Sequence, residues 1–203
     1  MSVAYQVMYR LGFTPWDHKS PEALAQIAEL LDREEQLRSQ PFGRAIDIGC
    51  GMGTQTIDLA RRGWDVVGVD MVDKALATAR DRAAAAGVDL RLVHVSATRL
   101  SEALEGGFSF AVDLGCFHGL TDDERLSYGR ELTAVTQPDA TLLMFCFTAL
   151  RRGWSPLPRG ATRQAVETAL PDWHVDHEDA AATAGMPDRV AGAQPRWFRL
   201  SRN

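Results

Sequence analysis

The residues best suited to chemistry lie between positions 44 and 70. The glycines Gly49, Gly51 and Gly53 follow the short apolar run 45–48 and precede apolar residues at helical spacing. This order predicts a strand, a glycine loop and a helix capped by Thr54. Because glycine has no Cβ, such a loop can turn sharply and bring its backbone close to a ligand.

A second apolar run, 66–69, ends at Asp70. A carboxylate at the end of the second strand can accept hydrogen bonds from both hydroxyls of a ribose, which predicts a ligand containing adenosine. The glycines depart from the dinucleotide fingerprint G-x-G-x-x-G because Thr54 stands where its third glycine would be. The departure disfavours a nicotinamide dinucleotide.

The run 46–54, Ile-Asp-Ile-Gly-Cys-Gly-Met-Gly-Thr, resembles the first motif of the class I S-adenosylmethionine (SAM) methyltransferases, and 67–70, Val-Gly-Val-Asp, resembles the second. The alternative is a glycine-rich turn in another α/β protein. The resemblance implies SAM as cofactor and a Rossmann-like, doubly wound α/β fold. The implied sheet has seven strands and is mostly parallel, with an antiparallel final strand. The implied cofactor-binding residues are Trp16, Asp47, Gly49, Cys50, Gly51, Gly53, Thr54, Asp70, Met71, Ser96, Ala97 and Leu114.

One position departs from the family pattern, and the role of another has two interpretations. Where relatives carry Gly-Asp after the third strand, this chain has Val95-Ser96, so the adenine contact falls to the Ser96 hydroxyl or the Ala97 backbone N–H. Trp16 belongs to a segment that resembles the N-terminal lid of the thiol and thiopurine branch. Its indole either stacks on a cation or substrate ring or anchors the segment to the core.

The loop after the fourth strand, 112–118, reads Val-Asp-Leu-Gly-Cys-Phe-His. It resembles the D-x-G-C-F-H loop of small-molecule methyltransferases and differs from the Asn-Pro-Pro-Tyr loop of enzymes that methylate amide or nucleobase nitrogens. An imidazole here can take a proton from a phenol, hydroxyl or thiol, so His118 is the predicted catalytic base. The alternative is a histidine that fixes the loop by hydrogen bonding.

Periodicity and turn residues place the other elements. Strands are predicted at 90–95, 108–114 and 141–147, with a final antiparallel pair at 173–178 and 196–200. Helices are predicted after Ser20-Pro21 with Ser20 as cap, from a cap at Asp73 to a stop at Gly87, from a cap at Thr121 to 136, and over 163–170. We expect one domain over 1–203, with a helical lid at 1–40 and a Rossmann-like core at 41–203. The loop 148–160 contains Arg151, Arg152 and Trp154, which either contact the acceptor or are solvated.

The composition and net charge limit the classes of binding partner that we expect. The 203 residues include 22 basic and 27 acidic ones, and the net charge of −5 argues against nucleic acid or an anionic membrane as partner. The sequence lacks an apolar run of membrane-spanning length and a signal peptide, so we expect a cytoplasmic protein. The three cysteines, Cys50, Cys116 and Cys146, predict neither a disulfide framework nor a metal site.

The sequence therefore predicts an enzyme that transfers the methyl group of SAM to a small-molecule acceptor by in-line displacement. A thiol or hydroxyl acceptor is expected, and a thiol, with a pKa near 8.5, can react without a base. A catalytically silent SAM-binding module and a nicotinamide-dependent oxidoreductase are the alternatives. The protein is expected to be a monomer or a homodimer.

Overall fold

The computed structural model describes residues 20–149, 160–186 and 191–203. Seven strands form one sheet in the order β3-β2-β1-β4-β5-β7-β6. The strands are β1 Arg44–Ile48, β2 Asp65–Asp70, β3 Arg91–His94, β4 Phe108–Asp113, β5 Thr136–Phe147, β6 Trp173–Ala180 and β7 Pro195–Arg202. The helices are α1 Pro21–Gln36, α2 Thr54–Arg62, α3 Asp73–Ala85, α4 Asp122–Val135 and α5 Arg163–Ala169, with 3-10 turns at Leu100–Glu102 and Phe117–Gly119.

The strand order places a crevice at the middle of the sheet. Strands β1 to β5 are parallel to their neighbours, whereas β7 runs antiparallel to both β5 and β6. The chain builds outward from β1 to β3 and then returns to the other side of β1 as β4. In open α/β sheets ligands bind at this reversal, beyond the carboxyl ends of the strands. The predicted Rossmann-like sheet with an antiparallel final strand is confirmed.

Helices cover both faces of the sheet. On one face, Ile27 and Leu31 of α1 pack with Leu59 of α2 and with Trp64. On the other face, α4 and α5 contribute to a cluster that includes Tyr128, itself fully buried. The sheet is therefore buried on both sides, as its near-continuous apolar strands require.

Helix α1 joins the core through a buried ionic network as well as through apolar contacts. The carboxylate of Glu34 is 4% exposed; its Oε1 accepts from Arg38 (2.8 Å) and Thr141 (2.5 Å), and its Oε2 accepts from Arg199 (2.9 Å). Arg199 also pairs with Asp176 of β6. Burial by itself would raise the pKa of Glu34, but these partners hold it below its usual value. The described part of the predicted lid region, α1, is thus a helix that covers the sheet.

Two helices have the N-cap residues that the sequence predicts, and two others have different ones. Ser20 caps α1, and Thr121 with Glu124 forms a capping box on α4. The prediction that Thr54 caps α2 is wrong: Gly53 is the N-cap residue, in the left-handed region at φ 78°, and Thr54 is the first helical residue. Asp73 likewise begins α3 rather than capping it, because Val72 occupies the cap position.

Candidate functional site

The backbone conformation of the loop 49–53 favours glycine at three positions. Gly49, Gly51 and Gly53 have φ values of 72°, 54° and 78°, a region that side chains disfavour. A Cβ on Gly53 would lie 2.9 Å from the Cβ of Ala79. The loop therefore passes close to α3, and the N–H groups of Gly49 and Cys50 both donate to the carbonyl of Val69 on β2 (2.8 and 2.9 Å).

Asp70 ties the end of β2 to this loop. Its Oδ2 accepts the N–H of Gly51 (2.9 Å) and its Oδ1 accepts the N–H of Val72 (2.9 Å). Burial raises the pKa of the Asp70 carboxyl, and these backbone N–H groups partly offset the rise. Each carboxylate oxygen keeps a second lone pair. The side chain can therefore bind the backbone and a ribose hydroxyl at once.

Two residues of the predicted cofactor set lie beneath the loop. Asp47 is buried, and its Oδ2 accepts from the hydroxyl of Thr56 (2.6 Å), which joins β1 to α2. Cys50 is also buried, and burial raises the pKa of its thiol. Both side chains therefore support the loop from inside the fold.

The predicted adenine side is formed by the turns after β2 and β3. Met71 packs with Val72 and Met52, and its carbonyl accepts Nε2 of His94 (2.9 Å). The Ser96 hydroxyl is 2.9 Å from that of Thr98 and accepts the Thr98 backbone N–H, so it closes its own turn. Ala97 is buried beside it.

The loop after β4 is organised by Asp113. The carboxylate is fully buried; Oδ1 accepts the N–H groups of Gly115 (2.9 Å) and Cys116 (2.7 Å), and Oδ2 accepts that of Phe117 (3.0 Å). Burial raises the pKa of Asp113 to about 6 despite these donors. Leu114, at the start of the loop, is half-buried against the cluster shared with α1 and α2.

His118 is held as a neutral, structural side chain. It is 4% exposed, and its Nδ1 accepts the backbone N–H of Phe147 (3.4 Å). Burial and then the charge of Arg125 lower the pKa of His118 to about 3, although the Phe145 carbonyl acts in the opposite direction. A neutral imidazole has one lone-pair nitrogen, and here that nitrogen is already occupied. The geometry favours the alternative in which His118 fixes the loop.

Arg125 of α4 forms hydrogen bonds with the same loop. Its guanidinium donates to the carbonyls of Phe117 (3.4 Å), His118 (3.3 Å) and Gly160 (2.5 Å) and pairs with Asp122 (3.2 Å). A buried arginine therefore joins the β4 loop to the segment that follows residue 159.

The structure brings most of the predicted site together at the carboxyl ends of the strands. The residues placed there are Asp47, Gly49, Cys50, Gly51, Gly53, Thr54, Asp70, Met71, Ser96, Ala97, Leu114 and His118. Trp16, Arg151, Arg152 and Trp154 lie outside the described residues. Within the described ranges no group of three His, Cys, Asp or Glu side chains could hold a metal ion, and no helix is both long and apolar enough to cross a membrane.

Residues 45–139 match the family described as "Methyltransferase domain". The matched stretch is slightly under half of the 203-residue chain. It contains the glycine loop, Asp70 and the β4 loop, so the predicted enzyme class and its cofactor, SAM, are confirmed. The assignment to the thiol and thiopurine branch is not part of what the match establishes.

Relatives of the methyltransferase domain are distant in sequence. An uncharacterized methyltransferase of Schizosaccharomyces pombe is 26% identical over 103 residues, which are 51% of this chain and 70% of that protein. A ubiquinone biosynthesis O-methyltransferase of Sinorhizobium medicae is 38% identical over 107 residues, 50% of this chain and 42% of that protein.

Solved structures share the fold over the full chain. One described as "Conversion of a Disulfide Bond into a Thioacetal Group during Echinomycin Biosynthesis" has a TM-score of 0.74 at 22% identity and covers 100% of this chain and 93% of that one. The 1,6-didemethyltoxoflavin-N1-methyltransferase of Burkholderia thailandensis, with bound 1,6-didemethyltoxoflavin and S-adenosylhomocysteine, has a TM-score of 0.73 at 20% identity and covers 98% and 85%.

Sequence reasoning missed the residues that hold the β4 loop. Asp113 and Arg125 hold this loop and Tyr128 packs against Phe117, and none of the three had a predicted structural role. A signal for Asp113 was present, because an aspartate two to four residues before the residues Gly115 to Phe117 is typical of a side chain that accepts local backbone N–H groups. Nothing in the sequence marked Arg125.

Proposed function

We propose that this chain methylates a small-molecule acceptor, with a thiol as the favoured nucleophile. The observation that carries the proposal is the pairing of the glycine loop with Asp70 at the reversal of the sheet, next to a β4 loop whose histidine is neutral and occupied. Such a site can hold a sulfonium cofactor and an acceptor in line, with little acid–base chemistry from the protein.

Cofactor binding is assigned to main-chain and carboxylate groups. The glycine loop 49–53 and the start of α2 lie at the carboxyl end of β1, where residues without a Cβ let a ligand come close, and Asp70 would receive the ribose hydroxyls through its remaining lone pairs. Met71 and Val72 would flank the adenine ring, and the backbone at Ala97 would reach its edge. When bound, SAM supplies an activated methyl group on its sulfonium.

The state of His118 favours a thiol over an alcohol. An alcohol has to lose its proton as the methyl arrives, whereas a thiol with a pKa near 8.5 is partly ionised at neutral pH. A buried imidazole with a pKa of about 3 and an occupied Nδ1 is a poor proton acceptor for an alcohol. The neighbour named for the conversion of a disulfide into a thioacetal is consistent with sulfur chemistry on this fold.

A small molecule fits better than RNA. Several relatives are named as 23S rRNA (uracil-C5) methyltransferases, but the one from Shewanella matches 38% of this chain and 17% of that protein. The net charge of −5 disfavours a polyanionic substrate. The Burkholderia neighbour, by contrast, holds a small heterocycle.

The test is a methyl-transfer assay with labelled SAM and two matched acceptor panels, one of alkyl and aryl thiols and one of the corresponding alcohols and phenols. We expect turnover with thiols that rises with pH through the pKa of each thiol. Transfer only to alcohols and phenols would contradict the thiol assignment, and transfer to neither panel despite SAM binding would favour the silent binding module.

A further inference from the structure

The β4 loop contains a buried charge that the proposed methyl transfer does not use. Asp113 has no exposed surface, and its two oxygens accept the N–H groups of Gly115, Cys116 and Phe117. Three donors on one carboxylate define the path of the 115–117 turn. An ionised carboxylate suits this task because both of its oxygens accept.

That turn lies directly against the glycine loop. A Cβ built on Gly49 would be 2.9 Å from the Cβ of Cys116 and 3.5 Å from its sulfur, so the two segments touch with no space between them. Gly51, two residues further on, donates its N–H to Asp70. Contacts therefore run without a break from Asp113 through Cys116 and the glycine loop to Asp70.

The groups around Asp113 come from α4, β5 and its own loop. Tyr128 of α4 lies edge-on to Phe117, with ring centres 5.3 Å apart; its hydroxyl is close enough to lower the pKa of Asp113 but has no hydrogen-bond partner of normal geometry among the described residues. Burial raises the pKa of Cys116 and of Cys146 on β5 well above the ordinary thiol value. Both thiols are therefore neutral.

The remaining charged and titratable neighbours belong to the base of the same loop. Arg125 is engaged by the carbonyls of Phe117 and His118, and His118 itself is uncharged at neutral pH. These groups lie on the carbonyl side of the turn, whereas Asp113 binds its N–H groups.

We propose that Asp113 is a positioning residue for the cofactor site: its ionised carboxylate holds the 115–117 turn and, through Cys116, sets the glycine loop in the geometry that receives SAM. This inference rests on the proposed function because it places the cofactor at that loop. Protonation would turn one acceptor oxygen into a donor that faces a backbone N–H, and the turn would loosen.

The experiment measures the turn and the cofactor separately. Hydrogen exchange at pH 7.5 follows the amides of residues 115–117, and isothermal titration follows S-adenosylhomocysteine. In Asp113→Asn we expect roughly tenfold faster exchange at the turn and roughly tenfold weaker binding, with exchange in α4 unchanged, because one acceptor oxygen is lost. Asp81→Asn, the same substitution at an exposed position of α3, should change neither.

A second variant, Tyr128→Phe, keeps the proposal testable if Asp113→Asn does not fold. Tyr128→Phe keeps the carboxylate and its three donors but removes the hydroxyl that lowers the pKa of Asp113. Binding of S-adenosylhomocysteine at pH 8 should stay within twofold of wild type, and the loss of affinity on acidification should begin at a higher pH. Asp70 titrates in both proteins, so its contribution cancels in the comparison.

The outcomes separate the two proposals. Faster exchange at the turn without weaker binding would overturn the inference, as would unchanged exchange or, if Asp113→Asn does not fold, an unmoved acid limb in Tyr128→Phe. Failure of the wild type to bind S-adenosylhomocysteine would overturn the proposed function, and this inference with it, whatever the exchange data show.

Discussion

Asp70 and Asp113 occupy equivalent places in the sheet and have opposite surroundings. Each ends a buried parallel strand, β2 or β4, and each accepts backbone N–H groups from the loop that follows. Asp70 accepts the N–H groups of Gly51 and Val72 and is 6% exposed, whereas Asp113 accepts three N–H groups and has no exposed surface. Both carboxylates thus bind their own backbone, and only Asp70 retains a small exposed surface at the end of its strand.

Removing Asp70 should have the largest effect on the cofactor. Loss of two charge-assisted hydrogen bonds to the ribose, each worth about 2 kcal/mol, should weaken S-adenosylhomocysteine about a thousandfold in Asp70→Ala. Isothermal titration measures this, with Asp65→Ala as the control, since Asp65 lies on the same strand with its side chain 74% exposed. A loss below about tenfold would mean that Asp70 does not bind the ribose.

A third buried carboxylate, Glu34, tests whether a buried carboxylate can stabilise the fold without contributing to cofactor binding. Glu34→Ala leaves Arg199 and Arg38 without their buried partner, which should cost roughly 4 kcal/mol of unfolding free energy and lower the Tm by roughly 10 °C. Affinity for S-adenosylhomocysteine in the folded variant should be unchanged, because Glu34 meets the amino-terminal part of β5. Glu29→Ala removes an exposed pair with Arg33 and should cost almost nothing.

The charge of Asp113 should reduce global stability at neutral pH. Its pKa is about 6 in the folded protein and near 3.9 in an unfolded chain, so the folded state favours the protonated form. The stabilisation is therefore fully present below about pH 4 and lost as the pH rises through 6. Relative to Asp113→Asn, the wild type should gain about 3 kcal/mol between pH 7.5 and the acid limit, about half of it by pH 5. Denaturant unfolding at both pH values measures the difference, and a gain in the opposite direction would contradict a raised pKa.

His118 should give the smallest effect. In His118→Asn the amide oxygen can accept the Phe147 N–H in place of Nδ1, so turnover with a thiol acceptor should stay within about threefold of wild type. At saturating SAM, the pH profile of the wild-type rate should match that of His118→Asn. A fall of a hundredfold or more at unchanged cofactor affinity would restore His118 as the catalytic base.

The fold and half of the site could be read from the sequence. Alternate glycines after an apolar run, and an aspartate after the next, fixed β1, the loop, α2 and β2 within a residue or two. Local rules suffice there because backbone conformation and strand burial depend on neighbouring residue types. The cap of α2 was misassigned because Gly53 and Thr54 both suit a helix start, and the left-handed turn required glycine.

The sequence by itself determined which residues could carry the chemistry: a glycine loop, an acidic strand end and a histidine loop at the edge of one sheet. Only the tertiary structure decided the surroundings of each of them. It buried His118 beside Arg125, turned Asp113 onto three backbone N–H groups and left Asp70 at the crevice. Burial and the charges nearby set protonation and access, and both come from elements far apart in the chain.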